Sequence, residues 1–245
     1  MVKWLAKLLY WKLAVPNFVS ILPPAVHVAS GPFRGMRYVR TAHGSAHSAK
    51  VLGTYERELR DCVTLAMTMP FKCLVNIGAG EGYYAIGLGR ALHSQIVAFE
   101  AEAHGRGLIA QLADWNGVSV SIRGLCGIDE LNDALASTGP AFVVCDVEGY
   151  EAELLDPQRV DALASAWVLV ELHETLRPGV SALIVERFKR THQILEIASE
   201  PRRWKDFPGR RSWAALLPKS LAFRAMEESR AEQSWFWMQP LSALR

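Results

Sequence analysis

The sequence has no surplus of either charge. Lys and Arg number 27 against 25 Asp and Glu in 245 residues, a formal net charge of +2. Neither the basic footprint of a nucleic-acid binder nor the acidic excess of a solvating tail is present. Cysteine is scarce. Cys62, Cys73, Cys126 and Cys145 form no C-x-x-C and have no histidine at zinc spacing, which argues against a disulfide scaffold or a structural zinc site and for buried thiols in a reducing compartment, the cytoplasm. Long apolar runs are missing too. Lys3, Lys7 and Lys12 interrupt the Trp- and Leu-rich residues 1–15, whose apolar runs are too short for a signal-peptide core or a transmembrane span. There is no internal repeat and no low-complexity tract.

What is present is hydrophobic mass. Half of the residues are hydrophobic and 21% are charged, which rules out general disorder and leaves room for one large domain with an extension. The division expected is an N-terminal helix and hairpin over residues 1–60 and a single domain over 61–245. On a helical plot of residues 1–15, Lys3, Lys7 and Tyr10 share one side and apolar residues cover most of the rest. Such a helix docks on its own domain or on a second copy of the chain, as in a homodimer; the sharper alternative is peripheral contact with a membrane surface. The 8 Trp are many for this length. Trp4 and Trp11 sit near the start and Trp204, Trp213, Trp235 and Trp237 come late, so both ends of the chain are expected to wall a site or an interface. For Trp235, Trp237 and His192 a place in the core is favoured over one at the site.

Pro16, Pro23 and Pro24 make an irregular connector. Val26–Ala29 and Phe33–Arg40, around Gly31-Pro32, read as a short hairpin, 43–48 as a loop, and 55–68 as a helix with Leu59, Cys62, Val63 and Ala66 on one face. From residue 73 apolar runs of strand type alternate with helical stretches. Strands are predicted at 73–77, 95–99, 118–122, 141–145, 167–170, 193–197 and 234–238, with helices at 83–92, 102–115, 128–136 and 180–189. That alternation implies a parallel sheet covered on both faces, with ligands bound beyond the carboxyl ends of its strands. The basic stretch 200–211, with Pro201 and Pro208, reads as a mobile surface loop or lid.

The first of these strands runs into Asn76-Ile77-Gly78-Ala79-Gly80-Glu81-Gly82-Tyr83. Glycines at 78, 80 and 82 let the backbone turn sharply and approach a ligand, and the helix that follows offers free N–H groups. A dinucleotide fingerprint, G-x-G-x-x-G, would need glycine where Tyr83 stands. The pattern G-x-G-x-G suits S-adenosylmethionine, which has no pyrophosphate. Glu100 closes the next strand, where a carboxylate can accept hydrogen bonds from both hydroxyls of a ribose.

The fourth strand ends in Asp146-Val147-Glu148-Gly149-Tyr150-Glu151 and the fifth in Glu171-Leu172-His173-Glu174. Five carboxylates and a histidine are thus expected on the rim that carries the glycine loop. In extended chain Asp146 and Glu148 share a side, as do Glu171 and His173. Asp146 and Glu148 rank first and His173 and Glu171 next, either as a general base on a substrate hydroxyl or as oxygen and nitrogen ligands of a divalent cation.

The segments VNIGAGEGYYAIGLGR, VAFEAE, VVCDVEGYEAELL and VLVELHE, with LGTYEREL upstream, resemble the FkbM-type class I S-adenosylmethionine-dependent methyltransferases over roughly residues 31–198. GPFRGMRY and RFKRTH resemble a bacterial subgroup of that family. The resemblance implies a Rossmann-like α/β fold with a seven-stranded, mostly parallel sheet and an antiparallel last strand. It implies that the loop from Asn76 to Tyr83, through Gly78, Gly80 and Gly82, holds the methionine part of the cofactor and Glu100 its ribose. It places Asp146 at the methyl-transfer site and Tyr55 and Glu56 over the cofactor. The activity implied is O-methylation of a small-molecule, sugar or lipid hydroxyl. Asn76 departs from the family pattern, where many class I enzymes carry an acidic residue. Two other readings compete: a nicotinamide-dependent oxidoreductase, disfavoured by Tyr83 and by the lack of a Y-x-x-x-K pair, and a non-catalytic binding or membrane-docking module.

Overall fold

A computed structural model describes residues 26–40, 46–136, 139–211, 218–228 and 233–244. The helix expected within 1–15, the connector at Pro16 and Pro23-Pro24, and Trp4, Trp11 and Trp213 lie outside the described residues. Two short strands, β1 (Val26–His27) and β2 (Arg37–Tyr38), pair antiparallel. Helices α1 (His47–Leu52) and α2 (Arg60–Ala66) follow, the latter preceded by a 3-10 turn at Arg57–Leu59. The central sheet comprises β3 (Cys73–Ile77), β4 (Gln95–Phe99), β5 (Ser121–Arg123), β6 (Ala141–Cys145), β7 (Trp167–Leu172), β8 (His192–Ala198) and β9 (Ser234–Pro240). The intervening helices are α3 (Tyr83–Gly89), α4 (Ala103–Asn116), α5 (Ile128–Ala134), α6 (Glu151–Leu154) and α7 (Val180–Phe188), with α8 (Lys219–Ala225) before the last strand.

The strand order is β5-β4-β3-β6-β7-β9-β8. All neighbours are parallel except β9, which runs antiparallel to both β7 and β8. This is the Rossmann-like sheet of class I methyltransferases, reversed last strand included. Strands β3, β6 and β7 are buried along their whole length, which is why their sequences are continuous apolar runs rather than alternating ones.

Side chains that alternate along each strand divide between two cores. Leu74, Ile96, Phe142, Val144 and Leu169 pack on one face with α2, α3 and α4. Val75, Val97, Val143, Val168 and Val170 pack on the other with α5 and α7. The first core also takes Val26, Val28, Phe33, Met36 and Tyr38 from the hairpin, so residues 26–40 share the hydrophobic core of the sheet. Phe33 lies where a side chain on α3 would otherwise stand: a Cβ at Gly87 would come within 2.6 Å of its ring.

The register aligns the carboxyl ends. Ile77 pairs with Phe99 and with Cys145, and Cys145 with Val170. The residues that follow these positions therefore emerge along one edge. The chain steps outward from β3 to β4 and β5, then returns to β6 on the other side of β3, making β3/β6 the switch point of the sheet. Among the described residues no helix is long and apolar enough to cross a membrane.

Two local expectations change. Residues 47 and 48, read as loop, begin helix α1; its six residues are too short to show a 3.6-residue period. The 200–211 stretch carries two 3-10 turns, 204–206 and 208–211, and is pinned down. Arg202 pairs with Glu58 and Glu228, Arg57 pairs with Asp206 at 2.9 Å, and Phe207 is buried with Ala222 and Met226.

Candidate active site

A cavity of about 540 Å³ opens beyond the carboxyl ends of β3, β4, β6 and β7. The loop from Gly78 to Gly82 forms one wall. Gly78, Gly80 and Gly82 all have positive φ, at 72°, 55° and 97°. At Gly78 the need for glycine is absolute in space as well as in angle, because a Cβ would stand 1.6 Å from the Asp146 carbonyl oxygen. The loop after β3 and the loop after β6 are thus in backbone contact.

Glu100, 8% exposed, braces this wall. Its Oε2 accepts from the Gly80 N–H at 2.7 Å and its Oε1 from the Glu102 N–H at 2.8 Å. Each oxygen keeps a further lone pair for a ligand hydroxyl. Asn76, 2% exposed, also reaches the cavity. Its Nδ2 donates to the Val144 carbonyl at 3.4 Å, while Oδ1 is buried with no hydrogen-bond partner among the described residues. An orphaned acceptor of this kind costs about 1–3 kcal/mol unless a ligand donor meets it.

Glu81 behaves differently from its neighbours in the motif. Its side chain is fully buried and takes the Lys50 ammonium at 2.7 Å and the Tyr38 hydroxyl. Burial would raise its carboxyl, but Lys50 and Tyr38 outweigh it and hold the pKa below the ordinary value. The carboxylate is spent on fixing the loop, so the expected ligand contact of Glu81 falls to its backbone. Lys50 lies over the rings of Tyr55 and Tyr83, at 4.7 and 5.4 Å from their centroids. Tyr83 is packed edge-on against Phe33, Tyr38, Tyr55 and Tyr84. Glu56 is placed in the left-handed region, φ 44°, with Tyr84 donating to its carboxylate and Glu228 accepting from its backbone N–H. Tyr55, Glu56 and Glu228 complete the cover of the cavity.

The ends of β6 and β7 bring the acidic cluster to the same cavity. Four of its groups converge on His173. Nδ1 is 2.6 Å from Glu151 Oε1, while Nε2 lies 3.6 Å from both Asp146 Oδ1 and Glu148 Oε2. Glu171 reaches the same point: one ligand atom each from Asp146, Glu171 and His173 lie within 4.8 Å of one another. Glu148 has φ 51°, so the chain turns after Asp146 instead of running on extended, and the turn itself carries Glu148 back to His173. Glu174 does not join the cluster. It caps α7, accepting from the Gly179 and Ser181 N–H groups.

The fields in this cluster oppose one another. Burial and the carboxylate of Glu56 push the Asp146 pKa up to about 6, against the pull of His173. Burial alone would lower His173, but its hydrogen bond with Glu151 and the fields of Asp146, Glu151 and Glu148 raise it above the ordinary value. Glu151, expected at the rim, lies beneath it, fully buried, also accepting from the Val147 and Gly149 N–H groups. Lys50, Tyr38 and Tyr84 were not foreseen, because each acts through a partner distant in sequence. Cys126 and Cys145 also line the cavity, and burial drives Cys145 well above the usual range and Cys126 up to about 12.

Trp235 lines the cavity and Trp237 lies in the core. Trp204 packs on Phe207. His192 is a core residue, bonded to the Ala166 carbonyl at 2.8 Å and stacked edge-on against Phe188.

A scan against protein-family models finds no match, and a search of curated proteins finds no significant one. Solved structures do align. A precorrin-6y C5,15-methyltransferase from Geobacter metallireducens is similar at 12% identity over 74% of this chain and 87% of that one, with a TM-score of 0.47. An rRNA methylase from Streptococcus thermophilus aligns at 11% identity over 76% and 98%, TM-score 0.49. TYW2 of P. horikoshii, solved with MeSAdo, aligns at 11% over 84% and 68%, TM-score 0.47. At these identities and scores the similarities say nothing about activity or acceptor, and the assignment of the fold rests on the strand order and the reversed β9.

Proposed function

We propose that the chain is an S-adenosylmethionine-dependent methyltransferase acting on a hydroxyl of a small-molecule, sugar or lipid acceptor, of the FkbM type that its motifs resemble. The observation that carries this reading is that the glycine loop with Glu100 and the Asp146–His173–Glu171 cluster line one cavity. The residues present fit the cofactor. The Gly78 backbone leaves no space for a side chain, Glu100 has lone pairs for a ribose, and the orphaned Asn76 Oδ1 awaits a cationic N–H donor. The walls also carry the carboxylates of Glu56, Asp146, Glu148 and Glu171, while the Lys50 charge is taken up by Glu81 and that of Glu228 by Arg202. Such a cavity favours a ligand bearing a sulfonium and an ammonium.

Bound there, S-adenosylmethionine supplies a methyl group already activated by its sulfonium. The protein's task is to align the acceptor oxygen and remove its proton. Glu151 holds the Nδ1–H of His173 and so keeps Nε2 facing the cavity. The acceptor hydroxyl donates its one hydrogen bond to Asp146, and as the new bond forms the proton leaves through the neighbouring Glu148, whose side chain is 78% exposed, to water.

Isothermal titration of the full chain with S-adenosylmethionine and S-adenosylhomocysteine tests the cofactor, with binding expected for both; no binding of either overturns the reading. Incubation of a metabolite extract with methyl-labelled cofactor, followed by mass spectrometry, then identifies the acceptor. Asp146→Asn should retain cofactor binding and lose turnover.

A further inference from the structure

We infer that Asp146, Glu171 and His173 form a binding site for one divalent cation of the Mn²⁺ type. The argument starts from spacing. Nε2 of His173 lies 3.6 Å from Asp146 Oδ1, beyond a hydrogen bond. Ion–ligand bonds of about 2.0–2.6 Å place two ligand atoms of a shared ion about 3–5 Å apart, and the three groups meet that condition, with all ligand atoms within 4.8 Å. The donor set is one imidazole and two carboxylates, which suits a divalent cation of intermediate hardness better than a soft one.

A second, independent observation concerns the imidazole. The His173 side chain is 4% exposed, and its other nitrogen is held at 2.6 Å by the fully buried Glu151. A carboxylate behind Nδ1 fixes the tautomer that presents the Nε2 lone pair, as behind metal-ligating histidines in general. Nε2 makes no hydrogen bond among the described residues, lies 3.6 Å from Asp146 Oδ1 and from Glu148 Oε2, and is within 4.8 Å of a Glu171 oxygen. Charge points the same way. Asp146 and Glu148 have no lysine or arginine partner among the described residues; their one basic neighbour is His173.

The role of the cation rests on the methyl-transfer reading; its binding does not. With the cation in place, the grip on the acceptor passes through it. The acceptor hydroxyl becomes a further ligand and gives up its proton more readily. The proton goes to Glu148, which lies outside the three-residue set.

The test uses the full chain, stripped with EDTA and titrated with Mn²⁺ while the electron paramagnetic resonance signal of the free ion is followed. One ion per chain is expected. Asp146→Asn, at a side chain 40% exposed, and Glu171→Gln should each weaken binding about tenfold or more, with unchanged circular dichroism. Glu148→Gln should leave one ion bound. No binding at millimolar Mn²⁺, or binding undiminished in both Asp146→Asn and Glu171→Gln, overturns the site. Calorimetry with S-adenosylmethionine on the same samples separates the two readings: cofactor bound without Mn²⁺ sinks only the cation site, and Mn²⁺ bound without cofactor sinks only the methyltransferase.

Discussion

Gly78 and Gly117 have nearly the same φ, 72° and 65°, but different surroundings. A Cβ at Gly117 would meet nothing within 4 Å, whereas at Gly78 it would overlap the Asp146 carbonyl. Gly117→Ala should therefore cost only the left-handed penalty, about 1–2 kcal/mol. Gly78→Ala must push the β3 and β6 loops apart and should cost at least about 3 kcal/mol, with cofactor binding lost. Urea titration of both variants makes the comparison; equal losses would mean that the loops separate freely. His192 gives a second prediction. Burial lowers its pKa, with the Ala166 carbonyl opposing in part. A histidine kept neutral contributes stability that is complete above its unfolded pKa, about 6.5, and is lost as pH falls below it. The melting temperature should drop between pH 7.5 and 5.5, and drop less in His192→Gln. An equal drop would place the titrating group elsewhere.

At the scale of elements, α1 and β2 act on the glycine loop from outside it. Lys50 and Tyr38 converge on Glu81, and the Lys50 and Glu81 side chains are 7% and 0% exposed. Lys50→Met leaves that carboxylate buried with a hydroxyl as its remaining partner of the two, a loss of about 3 kcal/mol or more. The double variant Lys50→Met/Glu81→Gln removes the uncompensated charge and should recover much of it. Additive losses in denaturant titration would show that the two residues act separately. This coupling was invisible in the sequence because the partners are local in space only. The glycine loop, Glu100 and the acidic strand ends were legible, since strand periodicity and register alone deliver them to one edge. Glu81 reads like any loop carboxylate until Tyr38 and Lys50 are in view. Glu174 reads like a rim residue until α7 claims it as a cap. The charges and prolines of 200–211 say nothing of Arg202 reaching Glu58 and Glu228.

For the whole molecule, the apolar runs of β3, β4 and β6 gave their ends to the residue, because strands buried on both faces have sharp edges in hydropathy. The antiparallel sense of β9 has no such signal and is what the family resemblance implies, while its place between β7 and β8 is seen only in the fold. Its consequences are measurable. Trp235 and Trp237 on β9 pack in one core and Phe236 and Met238 in the other, so removing residues 234–245 should uncover both faces of the sheet and abolish cooperative unfolding. A truncated chain with a sharp thermal transition would show that β9 is dispensable. There is also a consequence in time. Among the described residues strand β8 pairs only with β9, which lies about 35 residues further along the chain. At about 5–20 residues per second of synthesis, β8 waits roughly 2–7 s for its neighbour, with Ile194 and Ile197, which pack against the two cores in the finished fold, still unsheltered. A chaperone that grips extended apolar segments would find its widest opening in that interval.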